Sequence, residues 1–207
     1  MVASVLLDPN QFFRKRTEDM SSLPPAIILC LAGLSSLLTF VLAVLVGAGM
    51  DSGIAKVGLV LVTVAFNAPI QVFTTLIMCG FLGGILHLTC LAAGGVGTIG
   101  STLKVTAWGF LPKVIAGLIQ PVVWLLVTGG TFDQETVSSV GGLGGLVAGQ
   151  AASITAAVSA LFLLWQAVIW LSGIQYTHRL SRTKAGLAVA VPVALTVTVQ
   201  LAWSLAL

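Results

Sequence analysis

The chain has 207 residues, of which 57% are hydrophobic and only 7% charged, with a formal net charge of +3. Soluble domains carry about a quarter charged residues, so this chain lacks the polar surface to dissolve and reads as an integral membrane protein. No cluster of Lys and Arg is larger than Arg14-Lys15-Arg16, which leaves no room for a nucleic-acid surface.

Residues 1–23 form the one sizeable polar segment outside the loops, and 24–207 read as a single transmembrane domain. In the first segment Phe12 and Phe13 precede Arg14, Lys15 and Arg16. Aromatics beside a basic triplet suit an interfacial helix, with rings at headgroup level and cations against anionic lipid. The plainer reading is a tail of positive-inside residues, and both put this segment on the cytoplasmic side. The first apolar run is too long for a signal-peptide core, so it is expected to stay as a span. Pro24-Pro25 opens it, at a position where a missing N–H costs nothing. Residues 26–49 then follow without a charge.

Residues 54–93 are ambiguous, being about twice the length of one span. Lys56 lies near the start and Asn67-Ala68-Pro69 in the middle, where proline disfavours a continuous helix. The run reads as two short spans, or as a shallow interfacial helix over residues 54–66 and one full span over 69–92. A helix over 54–66 would rise only about 20 Å against a hydrocarbon core of about 30 Å, which favours the second.

The glycine-rich stretch from Gly94 ends at Ser101, a good helix N-cap. A third interfacial helix is expected over residues 102–111, with Lys104 and Trp108 on one face, typical of the membrane–water boundary. Residues 114–128 complete the third crossing. The longest loop, 129–149, holds Asp133 and Glu135. Residues 151–176 and 185–207 make the last two crossings, joined by a basic loop with His178, Arg179, Arg182 and Lys184.

Charge decides the count. With five crossings and a cytoplasmic N-terminus, Arg14, Lys15, Arg16, Lys104, Lys113, Arg179, Arg182 and Lys184 are all inside. A sixth crossing within 54–93 would move the last five of these outside, against the positive-inside tendency. The expectation is an all-α integral membrane bundle of five transmembrane helices with short interfacial helices, multi-pass in the cell membrane, with the C-terminus outside.

Chemistry is hard to find in this sequence. Ionisable groups inside spans are costly and mark function, yet these spans contain almost none. His87 lies near the inner end of the second span, where a neutral histidine is more often hydrogen-bonded locally than a ligand or base. His87 and His178 share a side, but no third ligand is near in sequence, so a metal site is not expected. Cys30, Cys79 and Cys90 sit in apolar runs at spacings unlike a zinc or disulfide framework. No HExxH, P-loop or GxSxG motif occurs. Neither enzymatic activity nor a cofactor is expected. A small permease, channel or lipid-handling transporter lined by Asn67 and the glutamines is the alternative, although such groups as often join helices.

The segment Leu7-Asp8-Pro9-Asn10-Gln11-Phe12-Phe13-Arg14 resembles the proline–aromatic–basic segment ahead of the first span in the Yip-domain family. The stretch Gly100-Ser101-Thr102-Leu103-Lys104-Val105-Thr106-Ala107-Trp108-Gly109-Phe110-Leu111-Pro112 is similar to its central pattern. The run from Trp165 to Lys184, with Val191-Pro192-Val193 after it, resembles its closing helical hairpin. The resemblance implies a five-span protein acting through protein or lipid partners in membrane organisation or trafficking-like processes, and carries over no catalytic residue. Eukaryotic members interact with Rab-type GTPases; the short segment ahead of the first span is like compact prokaryotic members and puts Rab binding in doubt. Expected partners are the lipid bilayer and further copies of the chain or other membrane proteins. The expected working surface comprises Phe12, Phe13, Arg14, Lys15, Arg16, His87, Lys104, Trp108, His178 and Arg179.

Overall fold

A computed structural model of the chain describes residues 2–16, 21–38, 41–42, 45, 53–128 and 150–206. Among them every regular element is an α-helix: α1 (Val2–Leu7), α2 (Pro9–Arg16), α3 (Leu23–Ser35), α4 (Gly53–Ala92), α5 (Ile99–Gly109), α6 (Leu111–Thr128), α7 (Gln150–Thr177) and α8 (Arg182–Ala206). Among the described residues four stretches are long and apolar enough to cross a membrane: Val57–Ala92, Ile99–Val123, Ala156–Thr177 and Arg182–Ala202. The chain is therefore a multi-pass membrane protein. The start of the first expected span is the shorter apolar helix α3, with Pro24 and Pro25 in its first turn. Most of that span beyond Leu38 lies outside the described residues, as does the loop with Asp133 and Glu135.

The break expected at Asn67-Ala68-Pro69 does not occur. Residues 54–66 are the first part of one continuous 40-residue helix that carries Pro69 inside it, not a separate interfacial helix. Proline removes one donor from the ladder, and helices in lipid tolerate this when nearby groups serve the carbonyls. Asn67 Nδ2 donates to the Thr63 carbonyl (2.9 Å), while the carbonyl that Pro69 leaves without its helical donor is that of Ala65. The outward face of α4 is apolar along its length, with Ile54, Phe66, Phe73 and Leu88 all exposed, as a lipid-facing surface requires.

The expected helix over residues 102–111 also changes character. It is α5, capped by Thr98 rather than Ser101: Thr98 Oγ1 accepts from the Ser101 N–H (3.3 Å). Thr102, Val105, Thr106, Ala107 and Trp108 are buried, so α5 packs inside the bundle against α3, α4 and α7. It runs antiparallel to α7, with Thr102 beside His178 and Thr106 beside Trp170. At its end the Phe110 N–H turns to the Ala107 carbonyl (3.0 Å), which releases the Thr106 carbonyl. Trp170 Nε1 donates to that carbonyl at 3.1 Å. Gly109 makes the approach feasible, since a Cβ there would collide with the Trp170 indole.

The closing hairpin forms as expected. α7 and α8 pack together, joined by a tight turn over 178–181. The turn needs Arg179 in the left-handed region at φ 54, a conformation that costs a non-glycine residue roughly 1 kcal/mol.

Candidate functional site

The C-terminal end of α4, the 93–98 linker, the start of α5 and the 178–181 turn meet at one end of the bundle. Two histidines far apart in sequence are brought together there, with ring centroids 5.4 Å apart. Thr102 lies between them, its Oγ1 2.7 Å from His178 Nε2 and 3.1 Å from His87 Nδ1. The same hydroxyl donates to the Thr98 carbonyl at 3.0 Å, so its oxygen is left to accept from both imidazoles.

His178 is fully buried and is gripped from its other side as well. The Gly97 N–H donates to His178 Nδ1 (3.2 Å), and the Val96 N–H donates to the His178 carbonyl (3.3 Å). An Nδ1 that accepts a backbone N–H carries no proton, so the neutral ring holds its hydrogen on Nε2 and gives it to Thr102. The linker can lie this close because it is glycine-rich: a Cβ on Gly95 or Gly97 would stand 2.8–2.9 Å from atoms of the His178 side chain. Burial pushes the His178 pKa below its ordinary value, and the neighbouring His87 pushes it the same way.

A second constellation docks the N-terminal helices beside this end. Asp8 caps α2, its Oδ1 accepting from the Gln11 N–H (2.9 Å). Tyr176 donates its hydroxyl proton to Asn10 Oδ1 (2.6 Å), and Trp165 Nε1 donates to the Leu6 carbonyl (3.2 Å). Val5, Phe12 and Phe13 are buried in the main core. Phe12 meets both Phe13 and Trp108 edge-on at 5.1 Å between centroids. The rings expected at headgroup level are thus held by protein, and so is Trp108, at 2% exposure. The Trp108 Nε1 is buried without a hydrogen-bond partner.

The basic residues of the expected surface take the opposite position. Arg14, Lys15 and Arg16 are exposed at the C-terminal turn of α2, and Arg179, Arg182 and Lys184 are exposed around the α7–α8 turn. Cations near a helix C-terminus are favoured by the macrodipole, which suits the triplet on α2. Lys104 is partly exposed on α5. Among the described residues Asp8 is the one carboxylate, and it is committed to capping. His87 and His178 meet as neighbours, while Arg179 is an exposed turn residue.

Thr102, Gly95 and Gly97 complete the histidine cluster, yet nothing in their sequence spacing marks them. The arrangement fastens three elements together. Among the described residues no group of three or more His, Cys, Asp or Glu is placed to hold a metal, and both nitrogens of His178 are already engaged by protein. Of the neutral polar residues of the spans, Gln120 Nε2 donates to Ser159 Oγ (2.6 Å), tying α6 to α7, whereas Gln200 Oε1 is buried without a hydrogen-bond partner.

Comparison with curated proteins and with solved structures finds no match. A family model, the Yip1 domain, matches residues 3–204. It therefore runs from the docked N-terminal helices, through α5 and the histidine cluster, to the closing hairpin. The chain belongs to the Yip1-domain family.

Proposed function

We propose that this chain is a non-enzymatic, five-span protein of the cell membrane, with a cytoplasmic N-terminus and an outside C-terminus, that organises membrane through lipid and protein partners. The working face is the basic end. The observation that carries this reading is the exposure of Arg14, Lys15, Arg16, Arg179, Arg182 and Lys184 at one end of the bundle. Each Lys or Arg at an anionic membrane surface contributes about 1 kcal/mol, so the α2 triplet alone suffices to enrich anionic lipid around the protein. The buried Phe12 and Phe13 support the same reading, because they hold the triplet in one place instead of leaving it on a mobile tail.

Two measurements test this. Phospholipids co-purified with the full chain should be enriched in anionic species, and Arg14→Ala/Lys15→Ala/Arg16→Ala should reduce that enrichment several-fold. Lipid composition equal to that of the bulk membrane, unchanged by the triple substitution and accompanied by unchanged partner pull-down, would sink the proposal. A single cysteine introduced at Arg179 should be labelled by a membrane-impermeant reagent only from the cytoplasmic side; labelling from outside would reject the orientation.

A further inference from the structure

The basic end contains one titratable group that is fully buried, hydrogen-bonded on both sides and tied to a glycine-rich backbone segment. We propose that His178 is a proton-operated latch: as a neutral ring it clamps the 94–98 linker and α5 to the α7–α8 turn, and as a cation it lets the linker go.

The geometry makes the two states unequal. A neutral His178 accepts from the Gly97 N–H at Nδ1 and donates from Nε2 to Thr102. Adding a proton to Nδ1 turns the acceptor into a donor and sets it against the Gly97 N–H at 3.2 Å. That contact must then open, because two donors cannot share one hydrogen bond. His87 is not equivalent. Its Nδ1 already donates to Thr102, and a proton added at Nε2 leaves that contact intact.

Among the described residues, the groups around His178 offer a cation no carboxylate. From α4 comes His87, with the carbonyl of Cys90 behind Gly95. From α5 come the Thr102 hydroxyl and, further along, Lys104. The linker itself has no titratable side chain. From α7 comes Tyr176, whose hydroxyl is turned to Asn10. The turn and α8 bring Arg179, Arg182 and Lys184, and Lys184 Nζ lies beside Gly94. None of these elements carries a carboxylate in the described residues. Among the described residues, loss of the Gly97 contact therefore has no replacement ion pair, and a linker rich in glycine moves readily once freed.

The experiment uses the full chain in lipid nanodiscs. Long-range imidazole correlations with labelled histidine should show His178 as the Nε2–H tautomer at about pH 7.5, and as a cation only on acidification below the ordinary histidine value of about 6.5. Over the same interval hydrogen exchange in the 94–98 segment, corrected for intrinsic rate, should rise by about tenfold or more. His178→Gln should abolish that rise, and His87→Gln should retain it. A proton on His178 Nδ1 at the higher pH, unchanged exchange at the lower pH, or the same acid-induced rise in His178→Gln would each overturn the proposal. The tautomer measurement needs only the wild-type chain, so it decides the question even where a variant fails to fold.

Discussion

Thr89 supplies the hydrogen bond that Pro192 withholds. Pro192 has no N–H for the Ala188 carbonyl one turn earlier in α8, and the Thr89 hydroxyl from α4, shared with the Leu86 carbonyl of its own helix (2.9 Å), donates to that carbonyl at 3.1 Å. The proline thus leaves an acceptor open on one helix, and a threonine on its neighbour fills it. In lipid, where no water serves a bare carbonyl, this fastens α4 to α8 at a defined register.

Thr89→Val is nearly isosteric and removes that donor. It should lower stability by about 1 kcal/mol, the scale of interhelical hydrogen bonds in membranes, while Thr89→Ser restores it. Reversible unfolding in mixed micelles measures the difference; equal stability of the valine and serine variants would refute the pairing.

Close packing at Gly109 predicts a second contrast. Gly109→Ala drives a methyl into the Trp170 indole and should cost about 2 kcal/mol through forced displacement of α5 from α7. Gly80 faces open space in the same helical bundle, so Gly80→Ala should be neutral or slightly stabilising through better helix propensity. Thermal melting of the two variants in one detergent checks the ordering.

The buried Phe13 predicts how α2 is held. Phe13→Ala removes a ring at 0% exposure and should cost about 3 kcal/mol of local packing. Trypsin should then cut faster at Arg14 to Arg16, because the segment leaves the surface that now shields its backbone. Cleavage at the wild-type rate would show that the aromatic pair does not anchor the helix.

The histidine cluster gives stability a pH dependence of known sign. The His178 pKa is depressed in the folded chain by burial and by His87, so the unfolded chain binds the proton more readily. Its contribution is present at neutral pH, above the ordinary histidine value of about 6.5, and is lost as pH falls through that value toward the folded one. Melting temperature should drop on acidification from about pH 7 to about pH 5, with a shallower drop for His178→Gln. A parallel slope in both proteins would show that other groups govern it.

Some of this architecture is legible in the sequence because lipid imposes a simple code. Apolar runs of sufficient length mark α7 and α8 to within a few residues, and the short basic stretch between them marks the turn. The motifs around Leu7 to Arg14, Gly100 to Pro112 and Trp165 to Lys184 carry the family, which the match over residues 3–204 bears out. Pro69 misled because proline's local penalty does not by itself end a helix in lipid, where the rest of the ladder is strongly favoured and α4 continues through it. Ser101 and Thr98 are both good caps, and only the path of the linker selects Thr98.

Composition and patterning alone determined that the chain lives in a membrane, that it is helical and where its closing hairpin turns. These follow from the cost of bare peptide groups and charges in hydrocarbon, a cost each segment meets by itself. Tertiary structure decided what the polar and aromatic residues do. It buried Phe12, Phe13 and Trp108, joined His87 to His178 through Thr102, and matched Thr89 to the vacancy left by Pro192. Each of these depends on two segments arriving at the same depth and angle, a relation that spacing along a single chain does not encode.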